Sequence, residues 1–319
     1  MFGLANLLHR ESALADAGRD GFFDVPKDYC SPGFWAAYVA RARARELRLE
    51  DLAIPPGDIL GYARALGIER ALGQNDTYPH ERRGAGANYS PLVLLESPEE
   101  TDHATHEINC CIRQLFDEPE FSVFVSRMCE LVGDLLDNVW SHGKSTGVSM
   151  AQKWKSDDGF CFELAVADCG LGFLRELRRV GIPGIANDAD AIAWCVEKGH
   201  STKKKTVDDW AQRLPADMIG NPMPGIGHVV ESDNHHLGLG LAKLVENVER
   251  FEGWLWLASG TSILVIRPGR DRVIQDIRVP WPGVALACRF DSTHVAGRTA
   301  AEPADEFEDI LSQLLRGQP

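Results

Sequence analysis

The sequence predicts an α+β fold, a two-layer α/β sandwich preceded by a small α/β unit, and three observations predict it. Residues 121–143, FSVFVSRMCELVGDLLDNVWSHG, place Phe124, Met128, Leu131, Leu135 and Val139 at three- and four-residue steps. That is the stripe of a helix with one face on a core. Segments 147–155 and 160–168 flank the turn Ser156-Asp157-Asp158-Gly159 and read as paired strands. After Gly253 four more strand-like segments, 254–258, 261–268, 273–280 and 283–290, follow one another with no helix between them. Consecutive strands exclude a doubly wound sheet.

At 319 residues the chain can bury a full core, and 44% hydrophobic with 25% charged residues is ordinary for a globular protein. A formal net charge of −14 argues against nucleic acid as a partner, because a phosphate backbone selects basic surface. No apolar run approaches the roughly 20 residues that cross a bilayer, so no membrane contact is expected. The N-terminal stretch lacks a basic leader and carries Glu11 and Asp16. Eight cysteines at irregular spacing, with no CxxC pair, suit reduced thiols, so a cytoplasmic location is expected.

In chain order, residues 21–26 read as a short strand and residues 31–50 as a helix capped by Ser31 with Pro32 at its first position. Arginines 41, 43, 45 and 48 form its solvated face. Residues 47–54 can form a strand, and 55–73 a second helix ending at Gly73. A turn-rich loop over 74–90 leads to a strand at 91–96. A helix over 97–116 follows, capped by Ser97 with Glu99 and Glu100 in its first turn. His103, His106 and Cys110 share a face of that helix, but a structural zinc site needs four ligands and no fourth is near. After the strand pair, residues 174–181 are helical and 188–199 form another helix. Residues 187–236 make a polar, Gly- and Pro-punctuated insert of the kind that serves as a lid or binding loop. Residues 236–241, with Gly238 and Gly240, open a helix over 242–253.

Three motifs carry chemistry. Beside the apolar stripe of residues 121–143 runs a second row, Glu130, Asp134, Asn138 and His142, stacked at four-residue steps on one helix face. Two carboxylates, an amide and an imidazole in file are costly to bury without partners, so the row is either wet or holds something polar. Asp168-Cys169-Gly170-Leu171-Gly172 sets a carboxylate at a strand end, and its glycines let backbone approach a flat ligand. Gly238, Leu239 and Gly240 open a helix whose N–H groups and dipole favour phosphate. The Rossmann fingerprint fails, because these glycines follow a loop and not a strand.

In this order, DLLDNVWSH, VADCGLGF and HLGLGLAKLVENV resemble the GHKL ATPase superfamily of gyrase, heat-shock chaperones and sensor kinases. The resemblance covers roughly residues 121–290 and looks closest to bacterial anti-sigma-factor-type, stand-alone histidine-kinase-like ATPases. It implies a Bergerat-type ATP-binding fold over 101–291, after a unit at 1–100 whose later part looks similar to the end of a STAS-like domain. An acidic tail with a short amphipathic helix would occupy 292–319.

The resemblance implies ATP and Mg²⁺ as cofactors, with Asn138 as the metal ligand. Asp134 would orient or deprotonate the nucleophile, as the usual glutamate does, and His142 would border the nucleotide. Asp168 would accept from the adenine amine while Gly170 and Gly172 let the chain pass the base. Gly238, Leu239 and Gly240 would wrap the phosphates, and Ser201, Thr202 and Lys203 resemble a lid stretch near the γ-phosphate. Thr261, after Gly260, fits the family's last glycine box by composition, whereas Pro282-Gly283-Val284 fits it by position on the last strand.

Asp134 is one methylene shorter than the family glutamate, and a misplacement of about 1 Å can cost on the order of a hundredfold in rate. Although THEI resembles a phospho-acceptor box, the interval between His106 and Asp137 is too short for a helical hairpin and a separate catalytic domain. Two classes of function follow: a signalling Mg–ATP protein that hydrolyses ATP slowly or phosphorylates a serine or threonine of a protein partner, and a silent interaction module that keeps the fold. Either class implies a protein partner and leaves room for a homodimer.

Overall fold

The structure, a computed structural model, describes residues 1–9, 25–139, 145–198 and 240–300. Strands β1 (Tyr89–Leu95), β2 (Gly147–Lys155), β3 (Phe160–Asp168), β4 (Trp254–Ile266) and β5 (Val273–Asp291) form one antiparallel sheet in the order β1-β2-β3-β5-β4. The β2–β3 hairpin closes around Ser156–Gly159, where the Ser156 N–H donates to the Gly159 carbonyl at 3.0 Å. Its register sets Gly147 opposite Asp168.

Side chains alternate across the central strand β3. Phe162, Leu164 and Val166 enter one core with helices α5 (Pro98–Leu115), α6 (Ser122–Asn138) and α9 (Gly240–Arg250). Ala165 and Ala167 enter a second core with α1 (Leu4–His9), α2 (Pro32–Ala44), α3 (Asp58–Ala65) and α4 (Ile68–Ala71). Helices therefore cover both faces of the sheet. Elements before residue 100 reach across it: β1 is an edge strand paired to β2, and α2 lies over β2, β3 and β5. Alanines on that face admit the helix closely, and a Cβ at Gly33 would come within 2.7 Å of the Ala287 Cβ.

Glu163 fixes this docking. It is 1% exposed and accepts from the Ser31 hydroxyl (2.6 Å) and the Gly33 N–H (2.8 Å) in the first turn of α2. The helix dipole favours a carboxylate at that end. Arg289 on β5 donates to the other oxygen through Nε (2.9 Å) and Nη2 (2.6 Å). The same guanidinium lies over the rings of Trp154 and Trp256, at 5.0 and 5.2 Å.

Several expected elements differ. Residues 47–54 form no strand; Leu49–Asp51 is a 3₁₀ turn, held where the Arg48 N–H donates to Asp51 and the Leu49 N–H to Gln74. Helix α2 stops at Ala44 because the chain turns through Glu46 at φ 57°. Gly67, at φ 86°, divides the expected helix over 55–73 into α3 and α4. The four strand segments after Gly253 are two long strands: Gly260 and Pro282-Gly283, which read as breaks, sit at a register shift in the β4–β5 pair. Residues 292–300 extend the fold as helix α10 (Ser292–Ala300), while the amphipathic stretch over 305–316 lies outside the described residues. No helix among the described residues is long and apolar enough to cross a membrane.

Arg289→Ala strands the Glu163 charge beneath α2, and such a loss costs about 3 kcal/mol. Urea unfolding is expected to show a drop of that order; a change below about 0.5 kcal/mol, typical of a surface site, would refute the clamp.

Candidate functional site

The apolar stripe of α6 behaves as its spacing dictates: Phe124, Met128, Leu131 and Leu135 are buried, and so is Val139 just beyond the helix. The polar row beside it runs from solvent to interior. Glu130 is exposed, Asp134 is 7% exposed and Asn138 is half-buried. The change occurs beside Gly240, the first described residue of α9. A Cβ at Gly240 would lie 3.1 Å from the Asp134 Cβ and 3.6 Å from Asn138 Nδ2. The first residue of α9 thus rests on the two α6 side chains, and a side chain there would crowd both. Farther along, Arg127 Nη1 reaches Glu246 and Asn247 at 3.4 Å, a second tie between the helices.

Asp168 closes the other side. Gly147, its register partner, touches the α6 end: a Cβ on Gly147 would sit 2.5 Å from Val139 Cγ1. Asn138 is the neighbour of that valine, so the helix end, the strand end and the α9 start converge. The Asp168 carboxylate is 3% exposed and accepts from the Gly170 N–H (2.8 Å) and the Val284 N–H (3.3 Å). Burial pushes its pKa up from 3.8 to about 6, the two backbone donors opposing the rise. Each carboxylate oxygen has a second lone pair, which leaves acceptor capacity for a ligand N–H.

Gly170 and Gly172 sit where the motif puts them, Gly172 opening α7 (Gly172–Arg179), but the protein itself uses the missing side chain of Gly172. Gly172, at φ 70°, packs so that a Cβ would lie 2.9 Å from Ser259 Oγ and 3.2 Å from the Gly283 carbonyl. Ser259 links the pieces, accepting from the Phe173 N–H and donating to the Gly283 carbonyl, both at 3.0 Å. A Cβ on Gly283 would fall 2.3 Å from Asp168 Oδ1. Of the two glycine boxes weighed from the sequence, Pro282-Gly283-Val284 is the one against Asp168. Thr261 instead gives its N–H (2.8 Å) and hydroxyl (2.9 Å) to Asp188 at the start of α8 (Asp188–Cys195).

Sequence reasoning missed Trp281, which is fully buried and donates its indole N–H to the Asp168 carbonyl at 2.8 Å. Its position between Pro280 and Pro282 was the available signal. Glu163 was also missed, since a charged residue within an apolar strand reads as an edge feature until its partners are known. His142, Ser201, Thr202, Lys203, Gly238 and Leu239 lie outside the described residues. On α5, Cys110 Sγ lies 3.5 Å from His106 Nε2, and the described residues contain no group of three or more His, Cys, Asp or Glu able to hold a metal. No family model, curated protein or solved structure matches the chain.

Because the folded pKa of Asp168 lies above its unfolded value, its contribution to stability is fullest below 3.8 and is lost as the pH rises through about 6. Relative to Asp168→Asn, the wild type should lose on the order of 3 kcal/mol between those limits. Denaturant titrations of both proteins across the range test this; a pH-independent difference would contradict it. Gly283→Ala, which drives a methyl into the Asp168 carboxylate, is expected to cost about 2 kcal/mol in the same assay.

Proposed function

We propose that this protein binds Mg–ATP in a histidine-kinase-like pocket and serves a signalling role, hydrolysing ATP slowly or passing its γ-phosphoryl group to a serine or threonine of a partner protein. The observation that supports the reading most is the contact of Asp134 and Asn138 with Gly240. An amide, a carboxylate and a glycine-led helix start meet there beside the Asp168 strand end. Such a meeting suits a ligand with a hydrogen-bonding base at one end and phosphates at the other.

In this reading Asp168 accepts the exocyclic amine of adenine while Gly170 and Val284 hold its carboxylate in place. In the same reading phosphate lies at the Gly240 end of α9, where the helix dipole favours negative charge. The donor set fits Mg²⁺, which takes few protein ligands beside phosphate and water, with the Asn138 amide oxygen as one of them. Bound there, the ion would supply charge neutralisation on the phosphates. Asp134, buried one turn before Asn138, is placed to orient the attacking hydroxyl or water and to receive its proton. Its short side chain favours slow turnover.

Calorimetric titration with ATP and ADP, with and without Mg²⁺, tests the proposal. The wild type should bind ATP more tightly with Mg²⁺, and Asn138→Ala should erase most of that gain. Asp134→Asn is expected to keep nucleotide affinity within about threefold while labelled-phosphate release or transfer falls at least about a hundredfold. Absence of ATP binding by the wild type, or binding unchanged by Asp168→Ala, would overturn the assignment and favour a module that acts through partner contacts alone.

A further inference from the structure

A second site lies on the opposite face of the sheet. Helices α2 to α4 and the ends of β2 and β3 enclose a cleft of about 1200 Å³. Its wall includes Ser145 and Thr146, just before β2, and Cys169, directly after Asp168. Leu47, Leu52, Ile54, Leu60 and Leu72 give it an apolar lining. Small-molecule sites combine such a lining with a few polar groups that fix orientation.

Three arginines stand around it, and they differ. Arg43 is spent on Glu96 (2.7 Å) and the Leu72 carbonyl, and Arg48 faces Glu50 at 3.2 Å in the open. Arg64 has its nearest carboxylate, Glu69, at 3.4 Å from Nε, and that Nε is buried without a hydrogen-bond acceptor among the described residues. Glu69 is turned instead to Thr77, accepting its N–H (2.8 Å) and hydroxyl (2.7 Å). Glu69 therefore anchors the Arg64 guanidinium at its buried Nε, and 42% of the Arg64 side chain stays exposed to meet a ligand. Gln74 also lines the cleft and uses its oxygen to accept the Leu49 N–H at 3.1 Å, which leaves its amide nitrogen to donate. A guanidinium and an amide N–H₂ beside an apolar lining select an anionic head on an apolar body. Glu46 and Glu50 also line the cleft, and their charge disfavours polyanions such as nucleotides.

We propose that this cleft binds a small amphipathic anion, its carboxylate or phosphate-ester head on Arg64 and Gln74 and its apolar body on the leucines of the lining. The site shares no residue with the proposed nucleotide pocket, so the two can fail separately.

Calorimetry on the full chain, with octanoate, monooctyl phosphate, octanol and inorganic phosphate as probes, tests the proposal. Either octyl anion should bind saturably, and whichever binds more tightly identifies the head. Octanol and inorganic phosphate should bind at least about tenfold more weakly, the worth of a charge-assisted hydrogen bond or of the buried chain. Arg64→Gln is expected to weaken the anion about tenfold and leave octanol unchanged. Leu60→Asn should weaken both, and Asn138→Ala neither. No saturable binding of either octyl anion, equal affinity for inorganic phosphate or octanol, or an Arg64→Gln protein that binds like the wild type would overturn it.

Discussion

The buried carboxylate of Glu163 is the constraint on which the architecture turns. A charge at 1% exposure in the central strand is tenable only while fully partnered. Its partners come from two distant parts of the chain: the hydroxyl and N–H at the start of α2, and the Arg289 guanidinium on β5. Satisfying one carboxylate thus fixes where the N-terminal helices sit, which way α2 points and how β3 meets β5. The alanines around it set the distance of approach, and the two tryptophans hold the arginine flat.

The same strand carries the second buried carboxylate. Glu163 and Asp168 are an odd number of residues apart, so strand alternation directs them to opposite faces. Glu163 belongs to the layer of α2, whereas Asp168 ends the strand next to α6 and α9. The two differ in partner as well as place. Glu163 is matched by a cation; among the described residues Asp168 has backbone donors alone, and burial raises its pKa against them. A carboxylate held by neutral donors at a strand end keeps acceptor capacity, which suits ligand recognition better than structural clamping.

Around Asp168 the chain is shaped by close backbone approach. Gly172, Gly283 and Gly147 each stand where a methyl would strike backbone or a neighbouring side chain. Ser259 and Trp281 then lock the turn to β4 and β5. The glycine spacing expected to admit a flat ligand therefore also admits the protein's own strand, and Gly240 is the glycine that faces Asp134 and Asn138.

Local pattern was legible in the sequence: the buried stripe and polar row of α6, the β2–β3 hairpin with Asp168 at its end, and a helix running on from Gly240. Each depends on periodicity or turn chemistry within a few residues. Only the tertiary structure decided that Gly260 and Pro282-Gly283 lie within continuous strands, since a bulge is stabilised by its partner strand and not by its own residues. It also decided that Pro282-Gly283-Val284 meets Asp168 while Thr261 meets Asp188, and that α2 crosses the back of the sheet. Those outcomes rest on hydrogen bonds and packing between residues far apart in the chain, which spacing along a single sequence does not encode.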